Sequence, residues 1–265
     1  MDFGMPTLIE LPEIPDCAAL CRQLGLQFVE LNMNLPQYQV NALDEDQLLR
    51  TAKRENIYYT VHLDETLDPC NFNPWVAEAW TKTVLETIGL AKRLGAPVLN
   101  MHLNRGVYFT LPDRKVFLYE QEQERCLSAL RDFRDRAAYA VGASGIRLCI
   151  ENTEGYDPPF LEKSLDLLLE SPAFALTLDV GHDACIGGAD LPRILARASR
   201  LTHMHLHDST GSNAHLPLGD GSLDIPAMLD LARRQNCRVV LETKTVAGLK
   251  KSAAWLKTTD RKSVV

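Results

Sequence analysis

The chain has 265 residues, 46% hydrophobic and 24% charged, with 35 acids against 28 lysines and arginines and a formal net charge of −7. That balance suits a globular protein with a sizeable core, while a pI near 5.5 argues against nonspecific binding to nucleic acid or an anionic membrane, which needs concentrated Lys and Arg. No run of about 18 apolar residues offers a membrane span, and the opening MDFGMPTLIELPEIPD carries acids before any basic residue, unlike a signal or transit peptide, so a cytoplasmic protein without membrane partners is expected.

In chain order, short β-type apolar runs alternate with longer helical patterns, the sign of βα units around a parallel sheet. Strands are expected at Thr7–Glu10, Phe28–Asn32, Tyr58–His62, Val98–His102, Arg147–Glu151, Ala175–Asp179, Leu201–His205 and Arg238–Glu242. Between them, Pro15-Asp16 opens a helix that Gly25 closes, with Cys17 and Cys21 on its apolar face beside Leu20 and Leu24. Asp44 opens a second with Leu48 and Leu49 inward. Residues 73–94 form a third, whose Trp75 and Trp80 pack inward, and Gly95-Ala96-Pro97 ends it. A long polar helix with a solvated face is expected over residues 116–141, and Gly142 to Gly145 stop it. Eight strands favour closure into a single (β/α)8 TIM barrel, one domain over residues 1–265 with a frayed tail at about 258–265. The seven cysteines form no CxxC pair and are odd in number, so reduced, packed thiols are expected rather than disulfides.

The chemistry lies at the strand ends. They carry Glu10 on the first strand, Glu30 near the end of the second, and then His62, His102, Glu151, Asp179, His205 and Glu242 in turn. All C-terminal strand ends of a parallel barrel open on one face, so these residues converge on one mouth. Imidazole nitrogen combined with carboxylate oxygen suits zinc, manganese, iron or cobalt better than calcium. In LDVGHD (178–183) Gly181 permits a turn that could bring His182 to the mouth, and HMHLHD (203–208) alternates three histidines on one side of a strand. His215 follows in a turn-rich segment, HLPLGDG (215–221).

The ordered strings IENTEG (150–155), LDVGHD (178–183), MHLHD (204–208), HLPLGDG (215–221) and LET (241–243) resemble the xylose isomerase-like TIM barrel superfamily, which includes sugar isomerases, sugar epimerases and endonuclease IV. The resemblance implies a metal site on Glu151, Asp179, His205 and Glu242, with His62, His102, His182 and His215 as additional metal or substrate-binding residues. In the endonuclease branch, His62 and His102 would share a metal with Glu151. The third metal would take His182, His215 and an aspartate, where this chain has Asn213.

Two activities follow as expectations. The first is a divalent-metal-dependent isomerase or epimerase acting on a small sugar, sugar phosphate or related hydroxy-carbonyl compound. Its ion would be Zn, Mn, Co or Mg, one per chain with two or three as alternatives, and Glu151 and Glu242 would act as base and acid around an enediolate. The second is an endonuclease IV-like phosphodiesterase acting on abasic DNA. Asn213 and the acidic loop LDETLD (63–68) argue against it. A noncatalytic barrel binding a sugar or a partner is a third alternative. Arg105, just past the fourth strand, reads as a surface residue or a phosphate contact, and oligomeric state is left open.

Overall fold

The computed structural model describes residues 1–153 and 155–260. Eight parallel strands close into a barrel: β1 (Phe3–Pro6), β2 (Phe28–Asn32), β3 (Tyr58–His62), β4 (Val98–His102), β5 (Arg147–Glu151), β6 (Phe174–Asp179), β7 (Leu201–Leu206) and β8 (Arg238–Leu241). Each strand pairs with its sequence neighbours, and β8 closes the ring on β1. The outer ring includes α1 (Ile14–Leu24), α2 (Glu45–Glu55), α3 (Pro74–Leu94), α4 (Gln123–Val141), α5 (Pro159–Leu169), α6 (Ile225–Gln235) and α7 (Val246–Asp260). The (β/α)8 barrel expected from the alternation is the observed fold.

Three of the outer helices start where the sequence supplies a side-chain acceptor. The Asp44 carboxylate accepts the Gln47 N–H at 2.9 Å and begins α2, a cap whose removal in Asp44→Ala costs about 1 kcal/mol. Asn73 and Asp224 do the same for α3 and α6. The apolar stripe of each helix faces the barrel. On α4 it comprises Cys126, Leu130, Phe133, Ala137 and Val141, all buried, with the Phe133 ring 6.1 Å from that of Phe174 on β6. Phe133→Ala would leave a cavity there, at about 3–5 kcal/mol.

Several expectations need correction. The first strand lies at Phe3–Pro6 rather than Thr7–Glu10, because Gly4 lets the backbone lie against the Phe28 ring, 2.3 Å from where a Cβ would stand. The chain turns at Ile9, which is 81% exposed, and Glu10 instead accepts the Val246 N–H at the start of α7, 2.5 Å away. Leu49 and Trp75 face solvent rather than the core, whereas Leu48 is buried and Trp80 packs against the core. The helix expected from residue 116 begins at Leu118 and breaks at Glu122. It is preceded by a hairpin, Tyr108–Thr110 against Lys115–Phe117, whose mixed composition hid it. Helix α7 continues through Asp260, so residues 258–260 of the expected frayed tail are helical, and the rest of that stretch lies outside the described residues. Cys17 and Cys21 are buried and free, as the helical face required. No helix among the described residues is long and apolar enough to cross a membrane.

The barrel interior carries a polar layer. Glu30, Thr60, Asn100, Thr177 and His203 are all buried. Buried polar groups persist in native folds when they find partners, and these find them across the barrel, immediately below the mouth.

Candidate metal centre at the barrel mouth

Strand registry builds the site. Pairing of β4, β5 and β6 sets His102 beside Glu151, and pairing of β6 and β7 sets Asp179 beside His205. Glu242 follows β8 directly, its N–H bonded to Leu206 O at 3.1 Å. His62 comes from β3 and His182 from the short helix Val180–Cys185. Asp179 caps that helix by accepting the His182 N–H at 2.7 Å, so one carboxylate both begins the helix and faces the mouth.

Glu151 is the hub. Its Oε2 lies 3.4 Å from His62 Nε2, 3.4 Å from His102 Nε2 and 3.5 Å from His205 Nδ1, while Oε1 lies 3.6 Å from His182 Nδ1. The Asn100 amide donates to Oε2 from below, and Asn100 in turn accepts the Thr177 hydroxyl at 2.5 Å. His205 Nδ1 also faces Glu242 Oε2 at 3.5 Å and Asp179 Oδ2 at 3.9 Å. On the far side of the same ring, His205 Nε2 lies 2.8 Å from Glu30 Oε1. Glu30 Oε2 accepts from Thr60 at 2.8 Å and lies 2.9 Å from His203 Nε2. A carboxylate behind an imidazole fixes the ring and leaves the opposite nitrogen free to bind a metal.

The donor set fits a divalent ion. His205 Nδ1, Glu242 Oε2 and His182 Nδ1 are buried and lack a hydrogen-bond partner. Ligand atoms of Asp179, His205 and Glu242 all lie within 4.8 Å of one another, as do those of Glu151, Asp179 and His182. Unpartnered buried polar atoms are costly, and an ion among them would satisfy several together. Three carboxylates and one imidazole suit zinc, manganese or cobalt.

Electrostatics agree. Burial alone would push Glu151 and Glu242 up, yet His205 beside both holds them well below the usual carboxylate range. Glu30 is held low in the same way by His205 and His203. Burial disfavours the His205 cation, but Glu151, Glu242 and Glu30 raise its pKa well above the ordinary value. Burial likewise opposes the His182 cation, and Glu151 and Asp179 still raise it to about 9. His215, where burial prevails, drops to about 4. Without an ion, protons on imidazoles balance the clustered carboxylates, and a metal would release them.

The structure brings together all eight residues singled out in the sequence: Glu151, Asp179, His205 and Glu242 at the centre, with His62, His102, His182 and His215 around them. His215 Nδ1 lies 3.8 Å from Glu242 Oε2. Asn213 is exposed. Arg105 pairs with Glu120 at 2.8 Å and stacks on Phe117, so it is no open phosphate contact. The acids of the 63–68 loop are partly internal braces, with Asp64 accepting the Thr66 N–H and Asp68 the Tyr119 hydroxyl. Sequence reasoning missed two contributors, Asn100 and Lys244, whose Nζ lies 2.7 Å from Glu242 Oε1. Glu30, an acid near the end of the second strand, and His207, in the alternating-histidine string, were visible in the sequence without an assigned role.

The comparisons with known proteins agree with this fold. An uncharacterized protein of Methanocaldococcus jannaschii, MJ1188, is 25% identical over 248 residues, covering 87% of this chain and 84% of that protein. Among solved structures, a D-tagatose 3-epimerase-like protein superposes with a TM-score of 0.80 at 18% identity, covering 100% of both chains. The 3-keto-D-glucoside 4-epimerase YcjR of E. coli superposes with a TM-score of 0.76 at 16% identity, covering 97% of this chain and 99% of that one. The family profile described as xylose isomerase-like TIM barrel matches residues 18–259, and this chain belongs to that family.

Proposed function

We propose that the protein is a divalent-metal-dependent isomerase or epimerase of a small sugar, sugar phosphate or related hydroxy-carbonyl compound. The observation that carries this reading is the convergence of Asp179, His205 and Glu242 with Glu151, with buried, unpartnered atoms on His205 and Glu242. Resemblance in fold to the D-tagatose 3-epimerase-like protein and to the epimerase YcjR supports the reaction class. Glu151, Asp179, His205 and Glu242 would hold the ion, which when bound would draw electrons from a carbonyl and its neighbouring hydroxyl and so acidify the intervening C–H.

The chain's own residues supply the rest. Glu151 and Glu242 come from β5 and from just past β8, flanking the β6–β7 pair, and each places an oxygen 3.5 Å from His205 Nδ1. One carboxylate takes the proton from the carbon beside the carbonyl, and the other returns a proton on the opposite face or to the neighbouring atom. His205 beside both favours their ionised form, the state the base requires, so the carboxylate that acts as acid must first take up a proton from solvent, which it then gives to the substrate. Lys244 on Glu242 Oε1 and Asn100 on Glu151 Oε2 restrain the two groups. His182 and His102, partly exposed at the rim, orient hydroxyls.

The test is incubation of the manganese-loaded protein with a panel of ketoses and their phosphates in deuterium oxide. Deuterium should enter the carbon beside the carbonyl of at least one of them. Absence of exchange across the panel, combined with cleavage of an abasic-site oligonucleotide, would replace this reading by the phosphodiesterase. One observation favours that alternative, the placement of His62 and His102 each 3.4 Å from Glu151 as if for a second ion. Asn213, exposed and without a carboxylate, leaves a third ion without its expected anionic ligand.

A further inference from the structure

His207 has no role in the reaction as proposed, yet it is fully buried against the site. Its ring nitrogens have distinct partners. The backbone N–H of His215 points at Nδ1 from 2.8 Å, and Nε2 lies 3.1 and 3.3 Å from the two oxygens of Asp179. An N–H aimed at a ring nitrogen needs a lone pair there, so the proton of the neutral imidazole sits on Nε2 and donates to Asp179. The carbonyl oxygen of Asp208, also near Nδ1, is more distant at 3.3 Å.

Two backbone features serve this arrangement. Gly181 was expected to provide a tight turn, but it lies inside the short helix Val180–Cys185, and its φ is not positive. The space at Gly181 belongs to His207: a Cβ there would stand 1.8 Å from His207 Cε1. His215 adopts the left-handed region, φ 58°, which few non-glycine residues visit and which costs energy. It sits in the hairpin formed by Asp208–Thr210 and Asn213–Leu216, with its N–H directed at His207.

Resting on the reading that Asp179 is a metal ligand, we propose that His207 is a positioning residue: the hairpin fixes its Nε2–H tautomer, and that N–H orients Asp179 toward the ion. Asp179 Oδ1 then receives both the His182 N–H at 2.7 Å and the His207 N–H, while Oδ2 faces His205 Nδ1. The hairpin over the mouth is thereby coupled to the affinity of the site. A competing role for His207, as one of three ligands of a second ion with His182 and His215, is suggested by their mutual proximity. It conflicts with the engagement of both His207 nitrogens.

The two halves of the imidazole can be separated by substitution in the full chain. Asparagine at 207 retains an acceptor near the Nδ1 position for His215 but loses the donor to Asp179. Glutamine reaches the Nε2 position and can keep that donor. Zinc affinity, measured by competition with a chelator, should fall by about 10- to 100-fold in His207→Asn and by clearly less in His207→Gln, the range typical of removing a partner behind a metal ligand. Metal-free melting serves as the control for a purely structural effect.

Nitrogen NMR of the zinc-loaded protein gives an independent readout that needs no variant. His207 should show an unprotonated Nδ1 and a protonated Nε2. A proton on Nδ1, zinc coordinated to either nitrogen, or equal zinc affinity in parent, His207→Asn and His207→Gln would overturn the proposal. If Asp179→Asn also leaves zinc affinity unchanged, the underlying metal reading fails. If Asp179→Asn weakens zinc binding while His207→Asn does not, only the role of His207 fails.

Discussion

Glu30 and Glu242 are both buried glutamates in contact with His205, one from below and one from the mouth. Glu30 Oε2 is hydrogen-bonded to Thr60 and His203, and its Oε1 lies 2.8 Å from His205 Nε2. Glu242 gives Oε1 to Lys244 and leaves Oε2 buried without a hydrogen bond. An engaged buried carboxylate holds its neighbours in place, whereas one with an idle oxygen is costly unless a ligand completes it. The same side chain therefore builds the scaffold at one depth of the barrel and leaves an oxygen open for a ligand at another. Asn100 and Thr177 extend the scaffold layer beneath Glu151.

Three substitutions sharpen that contrast. Glu242→Gln should lower turnover of a responsive sugar by about 100- to 10,000-fold, the range for loss of a general acid or base, without lowering the melting temperature of the metal-free protein. Full activity in that variant would remove Glu242 from the mechanism. Glu30→Ala should behave in the opposite way, destabilising the metal-free protein by about 3–5 kcal/mol in denaturant unfolding, because it strands His203 and His205 in the interior. A loss well under about 1 kcal/mol would place Glu30 in the same class as Glu242.

The third and smallest effect is on pH dependence. His182, raised from 6.5 to about 9, contributes stability that is fully present below pH 6.5 and is lost as pH rises through about 9. His215, lowered from 6.5 to about 4, acts in the opposite sense and costs stability as pH falls from 6.5 toward 4. In the metal-free protein, His182→Asn should flatten the alkaline decline and leave the acid decline intact. Equal alkaline slopes in parent and variant, measured by urea unfolding from pH 6 to 9, would show that the rim histidine is not ion-paired with Glu151 and Asp179.

Much of this site was legible before folding because a parallel barrel sends every strand end to one face, so His62, His102, Glu151, Asp179, His205 and Glu242 could be placed at one mouth from strand order, and the family resemblance then set four of them apart as a metal site. The scaffold beneath them was not legible. The contacts of Glu30 with His203 and of Asn100 with Glu151 span 173 and 51 positions and depend on barrel closure, which no local pattern encodes. The same limit explains Gly181, whose reason is a ring on another strand. Local signals also failed where two patterns competed. The apolar run at residues 7–9 outweighed Phe3 and Met5 in placing β1, and the charged stretch near residue 116 masked the hairpin before α4.

The most direct measurement is the metal content of the protein, by elemental analysis after dialysis against zinc or manganese, for the parent chain and for Asp179→Asn and Glu242→Gln. The proposed metal centre predicts about one tightly held ion per parent chain, on three carboxylates and one imidazole, and far less in either variant. No bound ion in the parent, or the same content in all three proteins, would contradict a metal centre built on Asp179, His205 and Glu242.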